Sequence, residues 1–236
     1  MARARRSRRR TRSRSGRRSI RARRSGRRLR HVAWLAFRGA LFVTAPFFLL
    51  VRGSVLAHRH FGTHGWISLG VGGLLASLAL AVVAAWLWRR LTGRRRFIAI
   101  ARNLALPAVA IFSLYCLGWL SSLNAKSPEI HDLYTDLHPS LRLALGTVIL
   151  ADPDVVITEI RRSPSDYRRM GLPPVERSLH FEQPDGWIHA VDLRTRGRSG
   201  LHNGLSQLYF RAMGFRALRH GGTGDHLHVA LPRPLR

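Results

Sequence analysis

Residues 66–88 read WISLGVGGLLASLALAVVAAWLW, a run without one charged side chain. As a helix at 1.5 Å per residue it would be about 35 Å long, enough to cross a hydrocarbon layer of roughly 30 Å. Two more apolar runs flank it, residues 32–51 and residues 97–120, so the sequence predicts three membrane-spanning helices within residues 31–120. Arg38 and the pair Arg102 and Asn103 interrupt the outer runs in their first third. There a long side chain can reach the headgroup layer. Trp34, Trp66, Trp86, Trp88 and Trp119 sit near run ends, where an amphipathic ring prefers the lipid headgroups.

The charges give an orientation. The formal net charge is +28, yet sixteen arginines lie in the first 30 residues and no acid precedes Glu129. Five more arginines fill residues 89–96. Positive charge is retained on the cytoplasmic side, so the N-terminus and this loop are expected inside and everything after residue 120 outside. Residues 1–30 have too few apolar side chains to offset the entropy of ordering and read as a disordered cytoplasmic tail. Its charge implies sequence-blind attraction to nucleic acid or anionic lipid, without base stacking, since the run has no aromatic residue. Residues 121–236 carry fifteen bases against twelve acids, which excludes a uniformly basic globular domain. The lone Cys116 excludes an intrachain disulfide and a multi-cysteine zinc site.

Residues 121–236 suffice for one modest domain. Residues 139–151 predict a helix with Leu141, Leu145 and Val148 on one face. Residues 201–213 predict another, with Leu201, Leu205, Leu208 and Ala212 at helical spacing and Gly214 as its stop. Residues 155–160, 187–193, 215–218 and 226–231 read as strands, giving an α+β domain behind an α-helical membrane region. Tyr167, Arg168 and Arg169 read as a solvated face, His131, His138, His202 and His220 as surface or structural, and His58, His60 and His64 as loop histidines.

Within the domain, His226 and His228 lie two apart in His-Leu-His-Val-Ala-Leu, so a strand points both to one face. Asp192 is likewise a polar residue inside the apolar strand Ala-Val-Asp-Leu. Catalytic zinc takes three N/O ligands and leaves a fourth position open, which two histidines and an aspartate would meet. Three segments carry a further signal: Arg177-Ser178-Leu179-His180-Phe181-Glu182, His189-Ala190-Val191-Asp192-Leu193 and Asp225-His226-Leu227-His228-Val229. With the upstream Ile157-Thr158-Glu159-Ile160-Arg161-Arg162-Ser163, they resemble the D-Ala-D-Ala carboxypeptidase and hedgehog superfamily of zinc peptidases. The resemblance implies that fold for residues 121–236, zinc held by His180, Asp192 and His228, catalytic roles for Asp225 and His226, and Arg162 on a substrate carboxylate. The interval from His180 to Asp192 is longer than the family's by residues 183–187, whose Pro184-Asp185-Gly186 is a turn signal. His189 is an alternative ligand, but on a strand it would face away from Asp192.

Together these features lead us to expect a peptidase of the bacterial cytoplasmic membrane, its domain outside, in contact with membrane lipids and acting on peptidoglycan stem peptides. The competing reading is a non-catalytic metal-binding or peptidoglycan-binding domain on a membrane anchor. A third makes the arginine tail the working part, tethering nucleic acid or acidic lipid.

Overall fold

The structure, a computed structural model, describes residues 3–169, 171, 178–222 and 224–235, with side chains from Arg30 onward except those of Leu35 and Arg169. Arg177, the first residue of the motif above, lies outside the described residues. The chain divides into two units, Met1–Thr44 and Ala45–Arg236.

Helix α1 (Arg3–Phe61) enters both units and carries Pro46, which removes one intrahelical hydrogen bond. Its backbone is helical from Arg3, where composition predicts an unstructured tail; arginine is a good helix former once a helix has a nucleus to extend from. Within the first unit, Trp34 stacks on Phe37 at 5.7 Å and lies under the Arg38 guanidinium.

In the second unit, α2 (Gly65–Thr92) follows a short turn, and the third apolar run comprises α3 (Phe97–Ile100), a π-helical turn at Ala101–Ala105 and α4 (Leu106–Gly118). Pro107 explains the π turn: it has no N–H for the carbonyl four residues back and its ring crowds that carbonyl, so the helix widens there. The segments Arg30–Phe61, Gly65–Thr92 and Phe97–Gly118 are each long and apolar enough to cross a membrane. Leu74, Leu78, Ile111 and Leu114 project outward from them.

The small domain supplies α5 (Pro128–Asp132), α6 (Pro139–Ala151), β1 (Ile157–Glu159), α7 (Pro164–Arg169), β2 (Ala190–Arg194), α8 (Gly200–Met213), β3 (Arg216–His220) and β4 (His226–Ala230). The strands form one antiparallel sheet in the order β1-β2-β4-β3. Val191, Leu193, Leu227, Val229 and Ala217 are buried, as the two-residue period requires of the core-facing side. Asp192 pairs with His228 across β2 and β4, and Arg194 with His226, so these four share the other face.

Helix α6 joins the domain to the apolar helices. His138 caps it by accepting the Ser140 amide at 3.2 Å, and every residue from Pro139 to Gly146 is buried. Gly146 is needed because a Cβ there would stand 2.5 Å from the Cys116 sulfur of α4. Helix α4 ends with carbonyls that lack intrahelical partners, and the domain satisfies them: Tyr134 donates to the Cys116 carbonyl at 2.6 Å and Arg142 to Leu117 at 2.7 Å, while just past the helix His131 bonds the Leu120 carbonyl at 2.9 Å. Leu50, Val51 and Val55 of α1 belong to the same buried cluster as Leu141, Ile157 and Phe210.

Three local expectations are corrected. Helix α8 buries Asn203, Ser206, Phe210 and Met213, while Leu201, Leu205, Leu208 and Ala212 are exposed. The small polar residues let the helix sit close, with Asn203 donating to the Thr195 carbonyl at 3.0 Å. Tyr167 is buried rather than solvated: its hydroxyl bonds Ser178 at 2.8 Å and its ring packs edge-on against Phe181. His58 is helical and buried because α1 continues to Phe61, whereas His138, buried as the cap of α6, is structural rather than at the surface.

Candidate metal centre

The sheet brings His180, Asp192 and His228 together. Asp192 and His228 face each other directly in the β2–β4 ladder, and His228 Nδ1 lies 2.9 Å from Asp192 Oδ1. His180 arrives from the loop before β2, its Nε2 3.2 Å from His228 Nδ1 and 3.4 Å from Asp192 Oδ1. Three donors bound at ~2.1 Å to a tetrahedral ion would be separated by about 3.4 Å, so the set matches that requirement closely. The ring of His180 is fixed from behind, since its Nδ1 lies 2.7 Å from the Ile160 carbonyl. A carbonyl only accepts, so Nδ1 donates to it and Nε2 is the nitrogen turned toward Asp192 and His228, the orientation metal-binding histidines use.

Residues 183–187 do not carry His180 away. They close a tight turn in which the Gln183 amide donates to the Trp187 carbonyl at 2.9 Å and Gly186 adopts φ +81°. A bridge between Glu182 and Ile188 seals its base, and the His189 amide donates to the Leu179 carbonyl at 3.0 Å. His189 is turned elsewhere, onto Asp185.

Charge at the centre is shared unequally. Burial would raise the Asp192 carboxyl, but bonds from His180 and His228 and the charge of Arg162 outweigh it and hold the group well below the usual carboxylate range. Arg162 forms an ion pair with Asp192 Oδ2, leaving Oδ1 to the two histidines. Its guanidinium also lies 6.0 Å from the Tyr167 ring centre. His226 is at the rim: it donates from Nδ1 to the Gly224 carbonyl, its Nε2 is 3.6 Å from Asp192 Oδ2, and its ring stacks on His220 at 4.9 Å. Asp225 accepts two bonds from Arg219, at 3.1 and 2.7 Å, and this pairing lowers its carboxyl to about 2.

An open cleft of about 360 Å³ lies beside the centre and reaches Asp192, lined by Arg162, Asp192, Asp225 and His226 and also by Lys126, Glu159, Arg194 and Arg196. Glu159 is the residue that sequence reasoning missed. It is paired with Asp192 across β1 and β2, its side chain is partly buried, and its carboxylate has no hydrogen-bond partner among the described residues. Burial raises its pKa, against the lowering charges of Arg162 and His180. The only sequence signal for it was an acid within the short β-branched run before Arg162. No protein-family model, curated protein or solved structure matches this chain.

Proposed function

We propose that the chain is a membrane-anchored, zinc-dependent peptidase of the bacterial cytoplasmic membrane, with its small domain outside and peptide stems of the cell wall as substrate. The observation that carries this reading is the convergence of His180 Nε2, His228 Nδ1 and Asp192 Oδ1 within 3.4 Å of one another, beside an open cleft. Zinc at such a site supplies a Lewis acid that polarises a peptide carbonyl and acidifies water.

The chain's own residues supply the rest. Glu159, partly buried in the cleft and unpaired among the described residues, is placed to take a proton from the attacking water. Asp225 is the family-like alternative, but its two bonds to Arg219 make it a much weaker base. Lys126, Arg194 and Arg196 ring the cleft, which suits a peptide with free carboxylates, as wall stems have. Arg162 reaches such a carboxylate only by loosening its pair with Asp192.

That ion pair favours a second reading, in which the domain binds metal or peptidoglycan without hydrolysis, because a neutralised Asp192 and an engaged Asp225 leave less for chemistry. The test is zinc content and muropeptide cleavage by the full chain in detergent micelles. The peptidase reading expects cleavage that His228→Ala abolishes; cleavage unchanged in that variant overturns it. A tightly held ion with no stem peptide hydrolysed selects the binding reading.

A further inference from the structure

His58, His138, Asp185 and His189 meet where α1 ends, α2 begins and the 183–187 turn folds back. The ring centres of His58 and His138 are 4.8 Å apart, those of His138 and His189 5.0 Å and those of His58 and His189 5.4 Å. All three rings are buried, at 3, 0 and 4 % exposure. The Nε2 atoms of His58 and His138 are buried and have no hydrogen-bond partner among the described residues. Asp185 is held in place, accepting from His189 Nε2 at 2.9 Å and from the Trp187 amide at 3.2 Å. One ligand atom each from His58, His138 and Asp185 lies within 4.8 Å of the other two.

Two unpartnered imidazole nitrogens beside a fixed carboxylate are costly as an empty core, since a buried polar atom without a partner has lost its water for nothing. They are a suitable donor set for an ion that accepts nitrogen and oxygen ligands. We propose that His58, His138 and Asp185 form a second site, for a divalent transition ion of the zinc type, which fastens the end of the first apolar helix to the domain.

The surroundings prepare two of the three ligands. His58 Nδ1 lies 3.3 Å from the Thr63 carbonyl and so carries the ring proton, which leaves the Nε2 lone pair free. His189 donates to Asp185 and orients it, as ligating carboxylates are themselves held by hydrogen bonds. At His138 the ring proton must move from Nε2 to Nδ1, so ligation releases the Ser140 amide now bonded there at 3.2 Å. The donors must also close toward the ~3.4 Å separation that a tetrahedral ion imposes. The site does not depend on the peptidase reading. It shares no ligand with His180, Asp192 and His228, and its Asp185 comes from the turn that follows His180.

The competing occupant is a water molecule, which could accept from His138 and donate to His58. Zinc counted per chain on the full-length protein in detergent micelles separates the two. Wild type, His228→Ala, Asp185→Asn and the double variant are dialysed against the same low free zinc. Two ions are expected in the wild type, one in each single variant and none in the double. Asp185→Asn should weaken zinc binding at its site by about 100-fold or more. His228→Ala leaves the cluster intact, so an ion retained there supports the proposal even if Asp185→Asn folds poorly. A single wild-type ion that His228→Ala removes overturns the second site and leaves the candidate centre standing. A single ion that only Asp185→Asn removes does the reverse. No ion in His228→Ala means the cluster holds water.

Discussion

At the scale of single residues, the cleft holds two carboxylates besides Asp192, and their surroundings drive them in opposite directions. Asp225 is bonded twice by Arg219, whereas Glu159 is partly buried with no partner among the described residues. If Glu159 takes the proton, Glu159→Gln should leave the bound ion in place and lower kcat by roughly 10²–10⁴-fold with little change in KM. Asp225→Asn should cost much less. Steady-state kinetics on a stem peptide, with zinc counted in parallel, decides between them, and equal losses would return the role to Asp225. The Arg219 pairing can be checked separately. Since it depresses the folded pKa of Asp225 to about 2, its stabilisation is present above the ordinary 3.8 and fades as pH falls toward 2. Arg219→Ala should bring the Asp225 carboxyl back up toward 3.8, followed by NMR titration of the labelled side chain.

At the scale of elements, Gly146 is where α6 meets α4. Alanine would add helix propensity of about 1 kcal/mol but place a Cβ 2.5 Å from the Cys116 sulfur and 2.9 Å from its Cβ. Overpacking of that kind costs about 1–3 kcal/mol, so Gly146→Ala should destabilise, and Cys116→Ala should restore part of the loss in a double-mutant cycle read by thermal melting. Leu205, on the exposed stripe of α8, should tolerate serine within about 0.5 kcal/mol. The contrast shows what a sequence conveys. The bounds of α6 agree with the expected 139–151, because Pro139 and the apolar spacing are local signals. The face of α8 was misread because spacing identifies a stripe but not what covers it, and here Asn203 and Ser206 face the core instead. Asp192 and His228 were legible through short motifs on adjacent strands, and His180 through a motif in the loop before β2. Glu159, and the meeting of His58 with His138 and Asp185, depend on packing between distant segments, for which no local pattern exists.

At the scale of the whole molecule, charge asymmetry and three apolar runs suggest a domain that happens to be tethered, for which a single crossing would serve. The packing of residues 45–236 argues otherwise. Leu50, Val51 and Val55 of α1 and Cys116 of α4 are buried in the same cluster as Leu141, Ile157 and Phe210, and the last carbonyls of α4 are bonded by Tyr134 and Arg142. Ser54 of α1 is bonded to Ser140 of α6 at 2.6 Å. In a fragment without α1 and α4 the domain side chains that they cover would face water, and each Leu or Val so exposed costs about 1.5–3 kcal/mol, so three of them would cost roughly 5–9 kcal/mol. That is comparable to the entire stability of an ordinary domain, about 5–15 kcal/mol. A fragment beginning at Ser121 should therefore lack a cooperative thermal transition and expose enough apolar surface to bind a hydrophobic dye, whereas residues 45–236 in micelles should melt cooperatively and, on the proposed reading, bind an ion at His180, Asp192 and His228. Differential scanning calorimetry of the two fragments makes the comparison. A cooperative transition in the shorter one would mean that the apolar helices only hold the domain at the membrane and contribute nothing to its core.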